Sequence, residues 1–286
     1  MRSGQGGFWA YTCSLALVSS GWFFRARLGL LSLILTVVCL WACEDVRTRR
    51  ARNEWQTPIR VGLVLVRQGA VDEQVYAALR QRVSVLQQRL AEEFRRYRPE
   101  RTAPMIELVA YGPVTAAEPT PLATDTDLWS RAVHTYRLWR YTSRIDDAAG
   151  VPTRTLDSRI YVVASPAHGS LSFVEGFSEA HGRVGVARVD LSSDTVDLAL
   201  FVAAHELFHT LGATDKYDEN GRTLRPFGLP DPARSPELPQ LSAEIMARNR
   251  VVSPTLELPP DSLDELSVGG WTAQEIGWLH SAPDSP

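Results

Sequence analysis

The stretch FVAAHELFHTLGATDKYD, residues 201–218, contains two histidines four positions apart with a glutamate beside the first of them. Apolar residues surround the pair, which predicts a helix that is buried on nearly all sides. Side chains four apart project from the same face of a helix, so His205 and His209 can reach one metal ion. Glu206 lies next to that face, where a carboxylate can take a proton from water. The stretch therefore predicts a metal site on a central helix.

A third ligand is expected just after this helix. Gly212 predicts the helix end, because glycine readily adopts the left-handed conformation in which the chain reverses. Asp215 would then return to the two histidines and leave a fourth position for water, an arrangement typical of catalytic zinc. Three carboxylates remain open as alternatives to Asp215: Asp218, Glu237 and Glu244.

The positions of the cysteines exclude other kinds of site. All three, Cys13, Cys39 and Cys43, lie within the first 45 residues. The remaining chain therefore has no disulfide and no thiolate ligand. Structural zinc sites use four protein ligands, usually with cysteine among them, so an open site made of His and Asp is the better prediction.

The sequence before the histidine helix alternates between strand and helix patterns. Apolar β-branched runs predict strands, and apolar residues at helical spacing predict helices between them. The predicted strands are 59–66, 105–112, 159–165, 171–177 and 183–191, and the predicted helices are 71–97 and 127–145. This alternation predicts an α/β fold with a twisted, mostly parallel sheet, two covering helices and the histidine helix. We expect 183–191 to be an edge strand, because glycine and arginine interrupt its alternation, and we expect the sheet to include an antiparallel edge strand.

The chain beyond Gly212 is rich in proline, which predicts a small irregular C-terminal subdomain that ends in a helix. Thr272 and Glu275 have the spacing of a capping box at the start of that last helix. Asp194 is the predicted cap of the histidine helix.

The first 45 residues form a hydrophobic leader. Residues 28–42 are an uncharged apolar run of the kind found in signal-peptide cores and membrane anchors. The sequence LWAC at 40–43 resembles a bacterial lipobox with Cys43 as the lipidated residue, and a retained transmembrane helix is the alternative. The basic run 47–50 favours the cytoplasmic side for a retained helix, which conflicts with export. We predict membrane attachment, outside the cytoplasm at the bacterial cell envelope, with the topology left open.

Three regions follow from these patterns: a leader (1–45), a linker (46–58) and a globular domain (59–280) whose upper part is 59–212 and whose lower part is 213–280. The formal net charge of −3, without a basic stripe, argues against nucleic-acid binding. We expect a monomer.

The sequence HELFHTLGATD, residues 205–215, resembles the extended zinc motif of the metzincin clan of metallopeptidases, in the aspartate variant of the small snapalysin-type bacterial proteases. This resemblance implies that His205, His209 and Asp215 bind one catalytic Zn²⁺ ion. It also implies that Glu206 is the general base in the hydrolysis of peptide bonds.

The resemblance extends to the order of elements over roughly 59–280 and to a turn beneath the metal that contains methionine. AEIMAR, residues 243–248, offers Met246 for this turn. In some relatives a tyrosine two residues beyond the methionine approaches the zinc, but Arg248 stands at that position. Tyr217 is another candidate to donate a hydrogen bond near the metal, and a packing role fits it equally well.

Two functions are compatible with these features. The first is a membrane-attached zinc endopeptidase that cleaves peptide or protein substrates, for which the edge strand 183–191 could bind an extended peptide. The second is a catalytically silent domain that keeps the fold and binds zinc or another protein. The presence of Glu206 favours the enzyme, because a silent domain has no need for that carboxylate.

Overall fold

The computed structural model describes residues 20–117, 127–166, 175–178 and 182–279. The chain divides into two compact units, Met1–Thr48 and Arg49–Pro286. Cys13 and part of the predicted strand 171–177 lie outside the described residues.

The N-terminal helix α1 (Ser20–Asn53) contains the predicted apolar run 28–42. Its segment Trp22–Asn53 is long and apolar enough to cross a membrane, a test that a signal sequence near an N-terminus also passes. The helix continues into the predicted linker. Two residues beyond its end, Trp55 is buried in the core of the second unit.

A five-stranded sheet organises the second unit. Its strands are β1 (Ile59–Arg67), β2 (Ile106–Thr115), β3 (Ser158–Pro166), β4 (Glu175–Ser178) and β5 (Val184–Leu191). Their order across the sheet is β2-β1-β3-β5-β4. The first four strands in this order are parallel, and β4 runs antiparallel to β5. The mixed α/β fold with a mostly parallel sheet and an antiparallel edge is therefore confirmed.

The prediction that 183–191 forms the edge strand is wrong. β4 pairs along the outer side of β5, with Phe177 opposite Val186, so β5 is an interior strand and β4 is the edge. The glycine that interrupts the pattern of β5, Gly185, has a packing role instead, because the side chain of Glu206 lies against it.

Two helices cover one face of the sheet and a third covers the other. They are α2 (Glu73–Tyr97), α3 (Leu128–Ala149) and α4 (Val196–Thr210). Successive residues of a strand point to opposite faces, and β1 shows which helix lies on which side. Leu63 and Leu65 pack in the core with α2 and α4, whereas Val64 and Val66 pack with Ile145 of α3.

Aspartate side chains cap the N-termini of α2 and α3, whereas α4 begins differently from the prediction. Asp72 caps α2 and Asp127 caps α3 through hydrogen bonds from backbone N–H groups to their carboxylates. The predicted cap of α4, Asp194, is wrong. A 3₁₀ turn, Ser193–Thr195, follows β5 directly and displaces the start of α4 to Val196.

The chain between α4 and the last helix, α5 (Gly270–Glu275), is largely irregular, as its prolines predict. Its short strands are β6 (Ala243–Glu244), β7 (Arg250–Val251), β8 (Glu257–Leu258) and β9 (Leu266–Ser267). β6 pairs with β9, and β7 pairs with β8. Thr272 lies inside α5 and Gly269 is at its N-cap, so the predicted capping box is wrong.

Trp278, just after α5, closes the core beneath α4. Its ring packs edge-on against the rings of Trp55, Phe94 and Phe208. Trp55 also donates a hydrogen bond from Nε1 to the carbonyl oxygen of Ile276 at 2.7 Å. These contacts join the chain before β1 to the chain after α5.

Candidate metal centre

Helix α4 places His205, Glu206 and His209 inside the domain, where the helix is packed between the sheet and the C-terminal chain. His205 and Glu206 are buried and His209 is half-buried. One ligand atom from each of these side chains lies within 4.8 Å of the other two. The group could therefore hold a metal ion.

The chain reversal after α4 brings Asp215 to the same place. Gly212 has a φ of 101°, a conformation that favours glycine and turns the chain back along the helix. The Oδ1 atom of Asp215 lies 3.3 Å from Nε2 of His205 and 3.1 Å from Nε2 of His209. The two Nε2 atoms are 3.1 Å apart. The three predicted ligands thus form a nearly equilateral triangle, which we call the ligand triangle.

Backbone carbonyls fix the orientation of both imidazole rings. Nδ1 of His205 lies 2.8 Å from the carbonyl oxygen of Ile245, and Nδ1 of His209 lies 2.9 Å from that of Ala213. A carbonyl oxygen only accepts, so each Nδ1 carries the hydrogen and donates it. Each Nε2 of a neutral ring is then an acceptor that faces the carboxylate of Asp215. Acceptors at such short distances can be bridged by a cation, either a metal ion or a proton carried by one of the rings.

The charges of the site favour a cation at this position. Burial opposes the ionisation of Asp215, but its hydrogen bonds with the two histidines outweigh burial and hold the pKa of Asp215 far below its usual range. Burial likewise opposes protonation of His209, yet Asp215 and Glu206 raise the pKa of His209 overall. The carboxylate is therefore kept negative, and positive charge is favoured beside it.

Glu206 is held beside the ligand triangle by the edge strand β4. Its Oε2 atom accepts a hydrogen bond from the hydroxyl of Ser178 at 2.8 Å. A Cβ atom at Gly176 would overlap the Oε1 atom of Glu206, so the carboxylate lies directly against the backbone of β4. Burial raises the pKa of Glu206, and the nearby histidines oppose that rise. A carboxylate with a raised pKa is suited to exchanging a proton with water near neutral pH.

The loop that carries Asp215 is bound to α5. Glu275 accepts hydrogen bonds from the backbone nitrogen of Thr214 at 3.0 Å and from its hydroxyl at 2.7 Å. Nζ of the buried Lys216 lies 2.7 Å from Oε2 of the same carboxylate. Both neighbours of Asp215 in the sequence are thus attached to Glu275, which limits where Asp215 can move.

The turn at 243–248 lies next to the first histidine. The carbonyl of Ile245 binds the His205 ring, and Met246 is completely buried in the main core. The carbonyl of Met246 accepts a hydrogen bond from the backbone nitrogen of Lys216 at 2.9 Å. The turn therefore supports both the first histidine and the loop of the third ligand.

The carboxylates considered as alternatives to Asp215 are engaged elsewhere. Oδ1 of Asp218 accepts hydrogen bonds from two backbone N–H groups of its own exposed turn, both at 2.9 Å. Glu244 is completely buried, and its carboxylate binds two backbone N–H groups of the C-terminal subdomain. Glu237 is exposed. Asp215 is the one of these four carboxylates that lies against both histidines.

Tyr217 flanks the site and contacts it through its ring. The ring stacks on that of His205 with centroids 6.3 Å apart, and the guanidinium of Arg248 lies 5.1 Å from the centroid of the Tyr217 ring. Burial, and next the charge of Asp215, raise the pKa of Tyr217 to about 12. The hydroxyl therefore keeps its proton at neutral pH. Arg248, where some metzincins have tyrosine, is a cation–π partner of this ring.

Sequence reasoning did not identify the residues that support the site. Ser178 belongs to a four-residue strand, and Gly176 is one glycine among many. Lys216 stands in the polar run DKYDE, which is typical of an exposed turn. Glu275 was noticed for its capping-box spacing, but its partners are Thr214 and Lys216.

No known family model matches the chain, and no curated protein is significantly similar to it in sequence. The fold and the site define a mixed α/β domain with a His-Glu-x-x-His group that could hold a metal ion. The likeness to the metzincin clan rests on the motif and on the order of the elements.

Proposed function

We propose that the chain is a membrane-attached zinc endopeptidase of metzincin type. In this proposal His205, His209 and Asp215 are the zinc ligands and Glu206 is the general base. The observation that carries the proposal is the ligand triangle with an additional, non-ligating carboxylate beside it.

The donor set fits zinc in number and in spacing. Zinc binds these donors at about 2.0–2.1 Å, so ligand atoms of a tetrahedral site lie roughly 3.3–3.4 Å apart. The sides of the ligand triangle measure 3.1, 3.1 and 3.3 Å. An octahedral iron site at similar bond lengths has sides of about 3.0 Å, so spacing alone is compatible with both metals. Glu206, adjacent on the helix, favours zinc and hydrolysis.

The residues of this chain supply the proton transfers. A bound zinc ion would supply Lewis-acid chemistry, which acidifies water and polarises a peptide carbonyl. Glu206 accepts a proton from the water that adds to the carbonyl carbon. It returns a proton to the nitrogen as the C–N bond breaks, so that one peptide bond and one water give a carboxylic acid and an amine. Ser178 orients the Glu206 carboxylate, and Tyr217, whose hydroxyl interacts with Asp215, is the proposed donor to the developing negative oxygen.

The substrate is proposed to bind along β4. This strand pairs with β5 on one side, and no strand among the described residues pairs with its other side. An extended peptide can add to a free strand edge through backbone hydrogen bonds. Because Ser178 of β4 contacts Glu206, such a peptide would lie beside the general base. β4 therefore replaces 183–191 as the proposed substrate strand.

Helix α1 supplies the proposed membrane attachment. Its apolar segment has the length and composition of a membrane span. Cys43 is exposed on this helix, so attachment through a lipid at Cys43 and attachment through a retained helix both fit. We place the catalytic unit outside the cytoplasm, at the cell envelope.

Glu206→Gln is the experiment that separates an enzyme from a silent zinc-binding domain. Glutamine keeps the shape of the side chain and can accept the Ser178 hydrogen bond, but it cannot take up the proton. We expect zinc content and melting temperature close to those of the parent, and cleavage of a peptide library to fall roughly 10²–10⁴-fold.

Two further variants complete this experiment. Asp215→Ala is expected to lose zinc, and Asp218→Ala, the matched control, is expected to keep it. Cleavage that survives Glu206→Gln unchanged overturns the mechanism. A parent that binds zinc and cleaves nothing in a broad library supports the catalytically silent alternative.

A further inference from the structure

The outer face of α3 carries three strongly exposed aromatic residues. Trp129, Tyr136 and Trp139 are 75, 57 and 61% exposed, although aromatic rings of this size are usually well buried. Trp129 and Tyr136 are seven residues apart and therefore lie on one side of the helix. The opposite side is fixed to the sheet through Ile145. The aromatic residues thus belong to a helix that is held in place and faces outward.

Exposed arginines accompany these aromatic rings. Arg137, Arg140 and Arg144 are exposed on the same helix, and none of them forms an ion pair with a carboxylate among the described residues. The acidic residues of α3 are Asp146, which is buried and paired with a strand arginine, and Asp147, which is exposed in the last turn. The outer face therefore combines aromatic rings with positive charge that no carboxylate of the described residues pairs with.

Several arginines of helix α2, in contrast to those of α3, form ion pairs with carboxylates. Arg80 pairs with Glu73 at 2.8 Å, and Arg89 pairs with Glu93 at 2.8 Å. These two arginines are thus paired with carboxylates of their own helix, and Arg82 pairs with Asp197 of α4. The exposed arginines of α3 have no such partner in the part of the chain that the structure describes.

We propose that the outer face of α3, defined by Trp129, Tyr136, Trp139, Arg137, Arg140 and Arg144, docks on the surface of an anionic lipid bilayer. Trp and Tyr rings favour the boundary between headgroups and acyl chains, because one part of the ring is apolar and another donates hydrogen bonds. Arginine guanidinium groups bind lipid phosphates in pairs of hydrogen bonds. A rigid helix that carries both groups matches this surface.

The proposal rests on the membrane attachment proposed above. A domain attached to a bilayer meets the lipid surface at a high effective concentration, so even weak contacts of α3 become populated. Trp, Tyr and Arg are also common at protein interfaces, for which a second copy of the chain is the alternative occupant. The bilayer is favoured because the same chain carries a helix suited to crossing one.

The test uses the full chain with a fluorophore that senses polarity. Cys13, Cys39 and Cys43 are replaced by serine, and the label is attached at Tyr136→Cys or, as the matched control, at Ser84→Cys on the exposed side of α2. Each protein is mixed with vesicles of phosphatidylcholine alone or of phosphatidylcholine with phosphatidylglycerol. Flotation with the vesicles measures attachment, and quenching by brominated lipid measures contact of the label.

We expect the label at position 136 to be quenched several-fold more than the label at 84, and more in anionic than in neutral vesicles. Arg137→Glu with Arg140→Glu should remove that difference, with an unchanged melting temperature and unchanged flotation. A chain that floats while both labels behave alike overturns the docking surface and leaves the anchor intact. Because serine at position 43 cannot be lipidated, flotation here tests the retained helix. A chain that does not float overturns that helix as the anchor, and with it this proposal. A response that grows with the protein-to-lipid ratio and ignores lipid charge indicates a second copy and also overturns it.

Discussion

The ligand triangle is supported in two different ways. His205 and His209 come from one turn of α4, and each ring is held by a single backbone carbonyl. Asp215 comes from a loop, and its position depends on the contacts of Thr214 and Lys216 with Glu275. The two histidines thus owe their spacing to the helix itself, whereas the aspartate owes its place to a side chain far away in the sequence.

The difference teaches which mutations can disturb a metal site. On the helix, removal of a ligand is the direct way to lose metal, because the backbone keeps the remaining ligand in place. On the loop, a residue that never touches the metal can be almost as important as the ligand. The following predictions test this comparison.

The largest effect is expected for His205→Ala. Loss of a ligand should bring the zinc content close to zero, and because metal binding contributes to folding, the melting temperature should no longer respond to a chelator. Elemental analysis and melting with and without chelator measure both. His134→Ala, on α3, is the control and should keep one zinc per chain. Full zinc content in His205→Ala would remove this histidine from the site.

Gly176→Ala should reduce activity without loss of metal. The added methyl group overlaps the Glu206 carboxylate and must displace it, whereas the ligand triangle is untouched. A displacement of about 1 Å typically costs around 10²-fold in rate. Peptide cleavage and zinc content are measured together. Gly270→Ala is the control, since an added Cβ there has no atom within 4 Å. Equal activity of the two variants would contradict the role of β4.

Glu275→Gln should weaken zinc binding although residue 275 is not a ligand. The loop of Asp215 loses the charge that holds Lys216, and residues that orient ligands typically contribute about 10–100-fold to metal affinity. Competition with a chromophoric chelator measures the Kd. Glu265→Gln, which loses a comparable ion pair with Arg250 in the same subdomain, is the matched control. An unchanged Kd in Glu275→Gln would mean that the loop holds Asp215 without this contact.

The smallest effect concerns the start of α4. Burial favours the neutral form of Asp197, but Arg82 and the backbone N–H of Leu263 lower the pKa of Asp197 overall. Stability from such a carboxylate is present above its unfolded pKa, about 3.9, and is lost as the pH falls through the lower folded value. Asp197→Asn should therefore cost about 1 kcal/mol at neutral pH, since Arg82 is partly exposed.

Urea unfolding of parent and Asp197→Asn variant at neutral pH and near pH 3 checks this prediction. The difference between them should shrink at the lower pH, and zinc affinity should be the same in both. A difference that is as large in acid as at neutral pH would show that the ion pair is not its source.

The parts of the structure that could be predicted are those that depend on neighbouring residues. The spacing of His205 and His209, the turn at Gly212 and the strand and helix alternation before α4 all follow from short-range patterns. The edge strand could not be predicted in the same way. The predicted strand 171–177 overlaps β4, but the four residues of β4 are too few to show a period or to indicate that β4 pairs on the outer side of β5.

The support of the site also could not be predicted, because it is made by contacts between distant parts of the chain. Ser178 and Glu206 are 28 residues apart, the Ile245 carbonyl and His205 are 40 apart, and Thr214 and Glu275 are 61 apart. Glu275 illustrates the difficulty. Its capping-box spacing suggested a local partner, whereas in the fold its carboxylate binds the third-ligand loop.

The separation between Thr214 and Glu275 also determines the order in which parts of the site are synthesised. A ribosome delivers the chain from its N-terminus, so α4 with both histidines emerges first, and Thr214 emerges 61 residues before the carboxylate of Glu275 that holds the loop of Asp215. Trp278, which packs on Trp55 and Phe208, emerges later still. Pairings of such long range form late in folding. For the proposed peptidase, the active site would thus be completed only after the chain from β1 to α5 has been made, when few segments of that region remain unfolded and open to cleavage.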